Sequence, residues 1–207
     1  MKNIIISLSL LGSISYGATS NSDPYYLHKK SQFEMLVQKN KYKTVMIGDS
    51  ITDGGLWNEL LDNNLIQNRG IAGDTTDGVL DRLDSINKNI ENAFIMIGIN
   101  DFFQEKSVEY VFSNYQKIIK ILEVKNIKVS IQSTLFVDEN KPSKYNERVE
   151  QLNKKLEDFA IKNKLVFIDL NKKLAPNKTL KKEYSFDGLH LNGTAYTIWA
   201  NEIKKYF

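Results

Sequence analysis

The stretch Val45-Met46-Ile47-Gly48-Asp49-Ser50-Ile51-Thr52-Asp53-Gly54-Gly55 is a short apolar run that breaks at a glycine into polar, turn-forming residues. A run of that length ending in Gly-Asp-Ser reads as a buried strand entering a turn. The same alternation recurs downstream. Further short apolar runs at 65–68, 94–97, 128–132 and 166–169 join the first, at 44–47. Each of the first four is followed by a helical pattern, most periodic at 107–124 and 144–162, where apolar residues return every three or four positions. Additional helices are expected at 25–40, before the first strand, and at 193–207, closing the chain.

Strands alternating with helices predict parallel βαβ units and a sheet covered on both faces, a doubly wound α/β fold of five parallel strands. In such sheets a ligand binds at the carboxyl ends of the strands. The unusual polar residues of an enzyme should therefore follow the strands, and here they do. Gly48-Asp49-Ser50 follows the first, Asn68-Arg69-Gly70-Ile71-Ala72-Gly73-Asp74-Thr75 the second and Gly98-Ile99-Asn100-Asp101 the third; Phe186-Asp187-Gly188-Leu189-His190 precedes the last helix.

Composition narrows the chemistry. The 207 residues fit one domain, and 42% apolar with 26% charged residues and three prolines are globular values. Residues 1–17, with one lysine, a short apolar stretch and a Ser15-x-Gly17 spacing, have the layout of a secretory signal peptide, leaving 18–207 as a single domain. The apolar run is too short to span a bilayer. An exported protein is expected, in a periplasm, at a cell surface or in the medium. Losing Lys2 lowers the formal charge from +3 to +2, and the basic residues are mixed with acids, so no nucleic-acid partner is expected. Cysteine is absent and only His28 and His190 are present, which excludes disulfides and a thiolate nucleophile and argues against a histidine-built metal cluster. The Gly-x-Ser-x-Gly elbow, the Walker loop and the Gly-x-Gly-x-x-Gly fingerprint are all missing.

Ser50, His190 and Asp187 supply the three roles of an activated serine: nucleophile, base and the carboxylate that orients the base. Asp187 and His190 stand three residues apart, so both side chains can lie on one side of a turn. Taken alone, the pair could equally be a capped loop with a surface histidine. Gly73 can bring a backbone N–H close to a ligand, and Asn100 offers a side-chain amide, the donors a developing oxyanion needs; each would pass elsewhere for a turn or cap residue. His28, near the mature amino terminus and away from any strand end, reads as exposed and structural.

Four blocks in order, Gly48-Asp49-Ser50, Asn68-x-Gly70-x-x-Gly73-Asp74-Thr75, Gly98-x-Asn100-Asp101 and Asp187-Gly188-Leu189-His190, resemble those of the SGNH hydrolase superfamily, the GDSL lipase/esterase family. The chain is similar to the branch of platelet-activating-factor acetylhydrolase catalytic subunits and bacterial acetylesterases. The resemblance, from about Thr44 onward, implies a three-layer α/β/α sandwich with a flavodoxin-like sheet. It also implies Ser50 as nucleophile, His190 as base and acid, Asp187 as its orienter, and an oxyanion hole of the Ser50 N–H, the Gly73 N–H and the Asn100 side chain, with no cofactor and no metal. Ile51-Thr52 stands where the family's older name has leucine. The expected reaction is two-step hydrolysis of a carboxylic ester on a glycan, lipid or small molecule, with a short acyl group, acetyl first; the alternative is cleavage of a lysophospholipid or an acyl thioester by the same mechanism. Activity should fall as pH drops through the range where histidine titrates, because a protonated imidazole cannot act as base. A large acyl groove would need apolar residues after the strands, for which Phe102, Phe103, Leu135 and Phe136 stand as candidates beside the alternative that they pack against helices. A glycan- or lipid-binding module without activity is the reading from another class.

Overall fold

The computed structural model describes residues 22–38 and 41–207; the predicted signal peptide lies outside the described residues. Five strands, β1 (Thr44–Gly48), β2 (Ile66–Gly70), β3 (Asn92–Met96), β4 (Lys128–Gln132) and β5 (Val166–Ile168), form one parallel sheet in the order β2-β1-β3-β4-β5. This is the flavodoxin-like order, whose direction reverses between β1 and β3. Right-handed crossovers then place the helices of the β1-to-β2 connection on one face and those of the later connections on the other.

The first connection holds α2 (Ser50–Asp53) and α3 (Trp57–Leu60). The later ones hold α4 (Thr76–Asp81), α5 (Ile99–Phe103), α6 (Val108–Val124) and α7 (Ser143–Asn163), with α6 packed between α4 and α7. After β5 come α8 (Asn171–Leu174) and α9 (Gly193–Ile203), the latter lying against α3 and α8. Trp57, Tyr196 and Trp199 cluster there, with the Trp57 and Trp199 rings edge to face at 4.7 Å. The expected three-layer α/β/α arrangement results.

The remaining helix, α1 (Pro24–Leu36), starts on proline after an Asp23 cap. It crosses the β2 edge through a small apolar group of Tyr26, Phe33 and Ile71, with the Arg69 guanidinium 4.3 Å from the Phe33 ring centre. His28 lies exposed on it, as read from the sequence. Among the described residues, no helix is long and apolar enough to cross a membrane.

Four of the five strands differ from expectation by one or two residues at an end, and two of the differences have a clear physical reason. β3 stops at Met96 rather than at 97, because Ile97 N–H donates to the Tyr115 hydroxyl while its carbonyl accepts from Tyr115 and Thr134. β2 runs on through Arg69 and Gly70, because Gly70 pairs with Gly48 of β1. Helix α9 ends at Ile203, and residues 204–206 tighten into a 3₁₀ turn.

Candidate active site

The nucleophile candidate is displayed by close packing at two strand ends. Any Cβ on Gly48 would lie 2.1 Å from the Thr52 hydroxyl and 2.3 Å from the Met96 carbonyl oxygen, and one on Gly70 would lie 2.2 Å from the Asp53 nitrogen. Only glycines at the ends of β1 and β2 let α2 sit directly on the sheet. Asp49 caps α2 by accepting from Ile51 N–H at 3.0 Å, and Ser50 opens the helix.

The loop that follows α8 brings the other two residues to Ser50. His190 Nε2 is 2.9 Å from Ser50 Oγ, and His190 Nδ1 is 2.6 Å from Asp187 Oδ2. The other carboxylate oxygen, Asp187 Oδ1, accepts from the backbone N–H groups of Leu189 and His190 at 2.9 and 2.8 Å. Partial burial works to raise the Asp187 pKa, but the hydrogen bonds from the His190 ring and from the two backbone donors outweigh it and hold the carboxyl well below the usual carboxylate range. An ionised Asp187 only accepts, so the Nδ1 of a neutral His190 carries the proton and Nε2 presents its lone pair to the Ser50 hydroxyl. A serine so placed can lose its proton to the imidazole as it attacks an electrophilic carbon. The histidine and aspartate side chains keep about a third of their surface, 37% and 33%, open to solvent.

Gly188 fixes this loop. Its φ of +78° is a left-handed conformation, and a Cβ there would lie 2.3 Å from the Asp138 carboxyl carbon. The Gly188 carbonyl accepts from Asp138 N–H at 2.9 Å.

Gly73, at φ +76°, turns the chain after β2, and Asn100 stands in the first turn of α5. The structure joins them: Asn100 Nδ2 donates to the Asp74 carbonyl at 2.9 Å. Asn100 is buried, as is Asp101 beside it. Thus the segments after β1, β2 and β3 converge with the Asp187–His190 loop where the strand order reverses.

Further residues hold the site: Asn68 opens the second sequence block, and the others carry no obvious sign of the role in the sequence. Asn68 Nδ2 lies 3.1 to 3.2 Å from the carbonyls of Thr52, Asp53 and Gly55, covering the carboxyl end of α2, while its Oδ1 accepts from Gly70 N–H. Tyr196 donates to the Ile51 carbonyl and Trp57 to that of Thr52. From α1, Lys29 and Tyr25 bind the Asp53 carboxylate at 2.8 and 3.0 Å. Arg82 is buried under the strand ends with Asp74.

The four apolar groove candidates are spent on packing. Phe102, Leu135 and Phe136 are buried in the core, and Phe103 meets Tyr145 edge to face. Phe136 also lines a cavity of about 280 Å³ with Phe167 and Asn171. That cavity sits on the β4–β5 side, two to three strand spacings from β1, or roughly 10 to 14 Å.

Two acids behind the site titrate near neutrality. Burial pushes the Asp101 carboxyl up to about 7 against the hydrogen bonds from Thr76, and burial likewise pushes Asp49 to about 7. A carboxyl whose folded pKa exceeds its unfolded value keeps its proton in the native state, so its contribution to stability is full in acid and is lost as pH rises from about 4 to about 7. Asp101→Asn cannot ionise. Urea midpoints should show Asp101→Asn gaining stability relative to wild type across that window, then a constant difference above it; a difference that is flat or shrinks with rising pH would contradict the assignment.

The model of the GDSL-like lipase/acylhydrolase family matches residues 46–198. A Streptococcus pneumonia protein described as a platelet activating factor superposes with a TM-score of 0.80 at 25% identity, over 88% of this chain and 92% of its own. A GDSL-like lipase from Bacteroides thetaiotaomicron superposes with a TM-score of 0.73 at 24% identity, over 87% and 96%, a likeness of fold. Among curated proteins, the N-acylneuraminate cytidylyltransferase of Streptococcus agalactiae is 32% identical over 126 residues, 56% of this chain. The match spans only 30% of that relative's length. With well over half its length inside the family model, the chain belongs to the GDSL-like lipase/acylhydrolase family.

Proposed function

We propose that this protein is an exported serine esterase that removes short acyl groups, acetyl above all, through a Ser50-His190-Asp187 triad. The observation that carries the reading is the continuous relay of 2.9 Å from Ser50 to His190 and 2.6 Å from His190 to Asp187. In the first step His190 takes the Ser50 proton as Oγ attacks the ester carbonyl carbon, and then gives it to the departing alcohol. An acyl-serine remains. Water, deprotonated by the same imidazole, adds to it, and Ser50 leaves with the proton as the acid is released. The Ser50 and Gly73 N–H groups and the second amide hydrogen of Asn100, whose first is held by Asp74, serve as oxyanion donors. Asp187 remains ionised throughout and steadies the imidazolium.

The small acyl group is supported by the packing of Phe102, Leu135 and Phe136 into the core, which leaves them outside any acyl groove beside Ser50. A sugar-borne ester is supported by the curated relatives, named for an N-acylated sugar acid. The test is a series of p-nitrophenyl esters. Specificity constants should fall roughly tenfold or more from acetate to octanoate, as expected for a site that rejects added methylenes. A constant that rises with chain length would replace this reading with a lysophospholipase or long-chain thioesterase.

A further inference from the structure

Phe186 is the most exposed large apolar side chain among the described residues. It is 94% exposed, although Asp187 follows it directly in the chain. Its apolar neighbours along the segment turn inward: Leu189 is buried and Tyr184 packs against the core. A lone exposed apolar residue is ordinary on a protein surface. Here the surrounding loop is what gives it meaning, because its hydrogen bonds hold the backbone in a conformation that leaves the ring outside.

Ser185 bridges to Leu191, and its hydroxyl accepts from the N–H groups of Asp187 and Gly188 at 3.3 and 2.8 Å. Asp187 Oδ1 accepts from Leu189 and His190 N–H, and Gly188 is locked against Asp138. The ring is therefore carried by the same braced segment that holds His190 against Ser50. An exposed aromatic on a braced segment, one residue along the chain from Asp187, offers contact area to whatever docks there at the cost of ordering one side chain.

We propose that Phe186 is a specificity-determining platform on which the ring of a cyclic, sugar-type alcohol stacks while its acyl ester lies at Ser50. The inference rests on the esterase reading and adds the class of leaving group. A single flat ring matches the apolar face of a pyranose. A lipid chain instead calls for a continuous apolar groove, whereas Phe186 is flanked along the chain by Lys182, Glu183, Ser185 and Asp187.

The experiment compares wild type, Phe186→Ala and Phe186→Trp on three esters: glucose pentaacetate, glyceryl triacetate and p-nitrophenyl decanoate. In Phe186→Ala the ratio of kcat/KM on the acetylated pyranose to that on the acyclic triacetate should fall about tenfold, mainly through KM, as expected for a lost aromatic contact. Phe186→Trp should restore it. An unchanged ratio, or a loss confined to the decanoate, would overturn the platform and leave the esterase reading intact. A wild-type protein inert on all three and unlabelled by a fluorophosphonate would overturn both.

Discussion

Ser50→Ala should lower kcat by roughly a millionfold on any ester the protein accepts, the scale on which removal of a triad serine acts in serine hydrolases. The expectation follows from the geometry. Ser50 Oγ is the atom to which His190 Nε2 is directed, and a water entering the space of the missing hydroxyl would not be held in line with the ester carbonyl. The fold should persist, since Ser50 Oγ makes a single hydrogen bond to a partly open imidazole. Its loss costs about 1 kcal/mol, equivalent to roughly 2 to 4 °C in Tm for a chain of this size. Activity and a thermal melt measured on the same preparation check both halves. A variant that keeps even a tenth of wild-type activity would remove Ser50 from the chemistry. Fluorophosphonate labelling should also disappear, which ties the loss to this one oxygen.

The elements whose residues announce their own environment were the legible ones. The strand Lys128–Gln132 spans the residues its pattern predicts, α6 differs by one residue at its start and α7 by one at each end, because long amphipathic periodicity records which face is buried. Arg69 and Gly70 hid the end of β2, since neither residue type favours a strand; only pairing with β1 keeps them there. The same divide runs through the site. Ser50, Asp187 and His190 are residue types that carry chemistry, and each follows a predicted strand or precedes a predicted helix. Tyr196 acts by holding the Ile51 carbonyl of α2, through a contact spanning 145 residues of sequence. Tertiary packing assigns such roles, and no local pattern contains them.

Arg82 makes the same point with a larger energy. In Val79-Leu80-Asp81-Arg82 it looks like a residue on a solvated helix end, yet its side chain is 2% exposed, beside an Asp74 side chain at 1%. Its Nε and Nη2 reach Asp74 Oδ2 at 2.8 and 2.7 Å, Nη1 donates to the Arg69 carbonyl at 2.8 Å and Nη2 to the Gly48 carbonyl at 3.1 Å. One guanidinium thus ties together the ends of β1 and β2 and the Gly73–Asp74 turn. Burial pushes the Asp74 carboxyl up while Arg82 pulls it down, so removing the arginine leaves an acid with no charged partner in a dry site. Breaking a buried pair in this way costs on the order of 3 to 5 kcal/mol, and Arg82→Met should lower Tm by about 10 °C. Arg82→Lys should rescue little, because an ammonium cannot reproduce the planar fork. Adding Asp74→Asn to Arg82→Met removes the orphaned charge and should recover part of the loss, so the two substitutions will not be additive. Urea unfolding of the two single variants and the double gives the coupling directly. An Arg82→Met protein within about 1 kcal/mol of wild type would mean that the strand ends hold their places without this brace.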